Sequence, residues 1–155
     1  MLQRIQSIYL LLAGVVIFAL FFFPLVHNVY IEGRPVTIMV TGVFQDVNGV
    51  QTHTVFFSAI TVVTGLVSAI PLVIIFMFRN RKQQIALCYS AILVIIGFSF
   101  WMSQTVKQTM GIVQIDFSNW GIGMFLTAVS ILFIVLAVKA IQKDEKLVKS
   151  ADRLR

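Results

Sequence analysis

Residues 55–106 read VFFSAITVVTGLVSAIPLVIIFMF, then RNRKQ, then QIALCYSAILVIIGFSFWMSQTV. Each apolar run is long enough to cross a bilayer core, which takes about 20 helical residues. The polar linker Arg79–Gln83 between them is short, so the two helices must be antiparallel neighbours. Two further runs of the same kind flank this pair, giving expected spans at Ile5–Val26, Val55–Phe78, Gln84–Val106 and Trp120–Ile141. The first run is too long for a signal peptide, and no small-x-small cleavage site follows it. The expected fold class is therefore membrane all-α: one integral domain over residues 1–155, a four-transmembrane-helix bundle.

Composition supports this reading. The chain is 59% hydrophobic and 12% charged, and a soluble domain carries about twice that charge. A small soluble fold leaves too much of its surface exposed to hide so many apolar side chains. The cations give a direction. Arg4, Arg79, Arg81, Lys82, Lys139, Lys143, Lys146, Lys149, Arg153 and Arg155 fall on one side, and only Arg34 and Lys107 on the other. By the positive-inside rule the N-terminus, the 79–83 turn and the tail 142–155 are cytoplasmic, and segments 27–54 and 107–119 face outward. Trp101 and Trp120 fall near the outer boundary and Tyr9 and Tyr89 near the inner one. A net charge of +6 placed this way marks topology, not nucleic-acid binding.

The outer segments carry strand signals. Val36, Ile38 and Val40 alternate with Thr37, Met39 and Thr41, a period of two. Asn48-Gly49 separates Val43–Val47 from Val50–Thr54 and suits a two-residue hairpin turn. Gly111–Phe117 is a candidate further strand. A small extracytoplasmic antiparallel sheet is expected to cap the helices, a layout similar to that of claudins, although the claudin Trp and Cys motif is absent. Within the second span Thr61, Gly65 and Ala69 recur every four residues, a stripe that lets a helix of this chain or of a second copy approach closely. Pro71 removes a backbone donor inside that span and predicts a kink; Pro24 lies near the outer end of the first.

Signals of chemistry are few. Cys88, the single cysteine, cannot form an internal disulfide, a Cys-x-x-Cys pair or a Cys-rich zinc site. No Asp, Glu, Lys or Arg lies in the interior of any span, whereas ion-coupled transport normally needs such a group. No phosphate-binding loop, nucleophile elbow or zinc-protease motif occurs. Asp46 and Asp116 read as turn and strand-edge residues, and Gly121-x-Gly123 as a helix start or close-packing point. His27 and His53 flank the outer ends of the first two spans; they read as interfacial histidines or, if brought together, as a bis-histidine haem site. No cofactor and no metal is expected.

The patterned polar residues are cytoplasmic. Glu145 and Lys149 stand i, i+4 in the tail, and Leu147, Ala151 and Leu154 form a narrow apolar stripe. The tail should continue the fourth helix or lie along the membrane. It can fix topology, bind anionic lipid or dock a protein. Asp144, Glu145 and Asp152 weaken lipid attraction and favour pairing with Arg4, Arg79 and Arg81 or with a partner. Gln3-Arg4-Ile5-Gln6-Ser7 with Tyr9-Leu10, Asn80-Arg81-Lys82 with Gln84 and Cys88, and Lys143–Val148 with Ser150 and Asp152–Arg155 resemble an uncharacterised four-helix membrane family of Bacteroidota, domain of unknown function family number 4293. The resemblance implies an inner-membrane protein of such a bacterium and brings no activity.

The expected function is a non-enzymatic accessory or scaffold in the lipid bilayer, acting through Arg4, Arg81, Asp144, Glu145, Asp152 and Arg153 on a membrane or cytoplasmic protein partner or on a second copy as a homo-oligomer. A small-solute or lipid transporter or channel, with a groove lined by Ser58, Thr61, Ser99 and Ser103, is the alternative. An interface enzyme or haem-binding protein centred on His27 and His53 is third.

Overall fold

The computed structural model describes residues 2–31, 34–47, 50–77, 80–111 and 119–152. Helix α1 (Leu2–Phe18) tightens into a 3-10 turn at Ala19–Phe21 and is followed by strands β1 (Val26–Ile31), β2 (Arg34–Met39), β3 (Gly42–Val47) and β4 (Val50–Phe56). Helices α2 (Ser58–Phe76), α3 (Arg81–Met110) and α4 (Ile122–Asp152) complete the chain. Three stretches, Ser58–Phe76, Arg81–Met110 and Ile122–Leu147, are long and apolar enough to cross a membrane; the apolar stretch Ile5–Phe21 is shorter.

The expected first span runs to Val26, but the helix stops at the 3-10 turn. Pro24 cannot donate to a helical ladder, and Leu25 N–H instead donates to Ile38 O at 2.8 Å. Val26 thus opens a strand missed by apolar periodicity. The sheet is a four-stranded antiparallel meander in the order β1-β2-β3-β4. Its registers include Val29 with Val36, Ile38 with Val43 and Val47 with Val50. The last pair confirms the hairpin around positions 48 and 49, themselves outside the described residues. A bulge in β1 between Val26 and Val29 contains Asn28 at φ 53°, a left-handed conformation that Asn tolerates better than most residues. Val55 and Phe56, expected in the second span, pair with Val43 and Gly42 instead. The candidate strand Gly111–Phe117 falls almost wholly on 112–118, outside the described residues.

Each helix packs against two others: α1 on α2 and α4, and α3 on α2 and α4. α2 is continuous through the buried Pro71. α3 begins three residues earlier than expected, because Asn80 caps it, accepting from Gln83 N–H at 3.4 Å; Asn is among the best N-cap residues. It ends at Gly111, φ 61°, whose N–H reaches Lys107 O, a glycine-terminated helix end. α4 carries straight on into the tail as far as Asp152, so the described tail is a continuation of the helix.

One apolar core runs from the helices into the sheet, through Leu10, Ile17, Ile95, Met102 and Ile134 to Val29, Val36 and Ile38. At the sheet end, α4 is stitched to the strand entrance: Gly121 N–H donates to Leu25 O at 2.8 Å and Gly123 N–H to Pro24 O at 3.0 Å. A Cβ on Gly123 would stand 2.7 Å from that oxygen, and one on Gly121 would be closer still. The Gly-x-Gly pair is therefore a close-approach point and helix start. The opposite end gathers the N-terminal ends of α1 and α3 and the C-terminal ends of α2 and α4.

Candidate functional site

Arg81 is the first residue of α3. A cation there opposes the positive end of the helix dipole. Asp144, about three quarters of the way along α4, answers it: its Oδ2 lies 3.0 Å from Arg81 Nη2, with side chains 15% and 31% exposed respectively. The carboxylate meets both the guanidinium and the favourable end of the α3 dipole. One turn further, Gln84 is buried and its Nε2 donates to Ile74 O at 3.2 Å. Ile74 lies in the last turn of α2, where helix carbonyls lack their i+4 partners, and its oxygen also accepts from Met77 N–H at 3.1 Å. The start of α3 is thus held to α4 by an ion pair and to α2 by an amide.

This end also buries amide oxygens without partners: Gln84 Oε1 and, on α1, Gln6 Oε1. The interior hydroxyls behave differently. Thr64, Ser68 and Thr127 bond to carbonyls of their own helices. Ser130 donates across to Ala13 O at 3.0 Å, joining α4 to α1 in a way no sequence spacing signalled.

Of the six residues expected in a polar cluster, the structure brings Arg81 and Asp144 together. Glu145 is half-buried beside them in sequence and is engaged in an interaction of its own. The side chains of Arg4 and Asp152, and all of Arg153, lie outside the described residues, as does Arg79. Cys88 is buried one turn below Gln84.

The Thr61, Gly65, Ala69 stripe is not where helices of this chain meet most closely. Thr61 Oγ1 donates to Val40 O and Phe57 O, tying α2 to the sheet. A Cβ on Gly65 would meet nothing within 4 Å, and Ala69 is exposed. The close approach falls at Gly14 of α1, whose Cβ would stand 3.0 Å from Ser68 O and 3.2 Å from Leu72.

Two of the hydroxyls expected to line a groove are engaged elsewhere. Ser99 bonds to Ile95 O within α3, and Thr61 faces the sheet. A groove of about 340 Å³ does lie between α2 and α3, lined by Leu66, Ala69, Ile70, Val73, Ile74, Met77, Leu87 and Ser90. It is almost wholly apolar, since Ser90 Oγ is turned to Leu87 O.

His27 and His53 lie on β1 and β4, the two edge strands. Strands are spaced about 4.8 Å apart, so roughly 14 Å of sheet separates them, too far to share one iron. His53 stacks on Phe44 with ring centroids 4.4 Å apart and meets Phe56 edge-on. Gly42, φ 151°, leaves room for this imidazole.

The family model described as Domain of unknown function (DUF4293) matches residues 2–154. The chain belongs to that family. The match covers every element described above, including the sheet and the α4 extension that carries Asp144. Neither a curated protein nor a solved structure matches the chain.

Proposed function

We propose that this chain is an integral protein of a bacterial inner membrane, crossing it four times with both termini in the cytoplasm, and that it acts as a non-enzymatic accessory or scaffold through its cytoplasmic face. The observation that carries this reading is the end of the structure built around Arg81 and Asp144. There α3 is fixed to α4 by an ion pair and to α2 by Gln84, while α4 runs on to Asp152. At 1.5 Å per residue, α2 with its 19 residues measures about 28 Å, close to one hydrocarbon thickness. The 31 residues of α4 measure about 46 Å. The excess of roughly 16 Å beyond a 30 Å core would stand in the cytoplasm as a rigid post. Rigid presentation lowers the ordering cost of binding a partner.

The test is in-cell cross-linking followed by affinity purification, with a tag at the Asn48–Gly49 turn and the tail free. A stoichiometric partner joined through Lys143 or Lys146, and lost on truncation after Ile141, is expected. Truncated protein that accumulates and supports growth like the full-length chain would contradict the reading. A second reading, a carrier for a lipidic solute, has the apolar α2–α3 groove in its favour. Solute flux in proteoliposomes that disappears when Ala69 is enlarged would support it.

A further inference from the structure

Asp144 and Glu145 in the sequence argue against lipid attraction by the tail, but the helix separates the charges by face. Lys139, Lys143 and Lys146 are all exposed and stand i, i+4 and i+7 on α4, within an arc of about 60°. None of the three makes an ion pair with a described residue. Asp144 points the other way, to Arg81 on α3, and Glu145 lies about 120° round the helix from Lys139. The outward face of α4 at this level is thus a stripe of positive charge.

The same face continues downward as exposed apolar side chains. Phe125, Leu132 and Leu136 fall within about 60° of the Lys139 direction, and all are exposed. The change from leucine to lysine takes less than one turn. From Ile122 to Lys139 the helix rises about 26 Å, near the thickness of a hydrocarbon core. From Lys139 to Lys146 it rises about 10 Å, and lysine stems can bend toward the headgroup layer.

We infer that Lys139, Lys143 and Lys146 form a binding stripe for the phosphate groups of anionic phospholipid in the cytoplasmic leaflet. The inference rests on the membrane reading above. Lysine suits this task as a compact charge with three donors on a flexible stem. Continuity with the exposed apolar face selects a membrane lipid over a soluble anion, because the acyl chains of the same molecule would lie against Leu132 and Leu136. Lipid held here would also surround the base of the post formed by the end of α4.

The experiment uses the full-length protein in mild detergent, with native mass spectrometry reading the association constants of phosphatidylglycerol and phosphatidylcholine. A basic residue near an anionic surface contributes about fivefold in affinity. The triple change Lys139→Gln, Lys143→Gln, Lys146→Gln should therefore reduce the preference for phosphatidylglycerol by roughly 100-fold. The triple arginine variant should keep the preference, as should Lys107→Gln in the last turn of α3, which leaves the stripe intact. Circular dichroism establishes that each variant is folded. Equal binding of both lipids by the wild type would overturn the inference, as would a preference that survives the triple glutamine change. Equal competition by free glycerol phosphate would overturn it in favour of a soluble-anion site. Loss of a cross-linked protein partner with lipid preference unchanged would overturn it in favour of protein docking. Flotation with vesicles separates the two claims: protein that floats but does not discriminate refutes the stripe alone, and protein that does not float refutes the membrane reading.

Discussion

Replacing Gly121 by alanine should open the junction between helices and sheet. The added Cβ would stand 2.9 Å from the carbonyl carbon of Pro24 and 3.2 Å from that of Leu25, and nearer still to the Pro24 oxygen. All three are backbone atoms, so no side chain can rotate away. Forcing an extra carbon into packed structure costs about 1–3 kcal/mol. As α4 retreats it also strains the bonds from Gly121 N–H to Leu25 O and from Gly123 N–H to Pro24 O, each contributing about 1 kcal/mol. A loss near 3 kcal/mol follows, or roughly 6–12 °C in thermal midpoint for a domain of this size. Trp120 is the adjacent residue and bridges to Val26, so its fluorescence during a thermal scan in detergent reports on the junction directly. Gly65→Ala and Gly97→Ala are the controls. Their added carbons meet nothing within 4 Å, and alanine in a helix interior gains about 0.5–1 kcal/mol over glycine. The sign should differ between the junction and the controls. A Gly121→Ala protein as stable as Gly65→Ala would refute the packing argument.

Arg81→Gln and Asp144→Asn should each destabilise the protein, and a double-mutant cycle should show a coupling of about 1 kcal/mol, the upper range for partly exposed pairs; independent effects would dissolve the link between α3 and α4. Gln84→Leu should change stability by less than about 1 kcal/mol in a thermal scan: Ile74 O keeps the N–H of Met77 at 3.1 Å, and an unpaired buried oxygen is removed. Protein purified after haem-replete expression should show no Soret band, because His27 and His53 occupy opposite sheet edges; a Soret band lost on changing both would require a different sheet.

Much of this architecture is legible in the chain. The alternation at Val36–Thr41 and the Asn48-Gly49 signal lead directly to β2, β3 and β4, because strand and turn preferences are local. The ends of the elements are less legible. Phe21–Val26 is an unbroken apolar extension of α1 by composition, and only the pairing of Leu25 and Val26 with Ile38 turns it into β1. Val55 and Phe56 are likewise apolar residues claimed by a neighbouring strand. Polar residues at Arg81–Gln83 and Lys107–Thr109 extend α3 beyond its apolar run, since a helix needs backbone bonds and caps but not continuous hydrophobicity. The Arg81–Asp144 pair was visible as two members of a larger charged set; which acid meets which base depends on how α3 packs on α4. Gly14 and Ser130 carry no distinguishing signal, because a single small or hydroxyl residue in an apolar run looks the same whether it faces lipid, a helix or nothing.

Topology labelling bears most directly on the claim of a membrane protein with a cytoplasmic working face, because α1 is the shortest apolar helix and its crossing decides on which side the N-terminus lies. In a Cys88→Ser background, single cysteines placed at Ser7, Thr52 and Lys143 would be challenged in intact cells with a membrane-impermeant maleimide, before and after permeabilisation of the inner membrane. Thr52 should label in intact cells, and Ser7 and Lys143 only after permeabilisation. Labelling of Lys143 in intact cells, or of Ser7 and Lys143 from opposite sides, would contradict the four-span arrangement and remove the cytoplasmic face on which the proposed function rests.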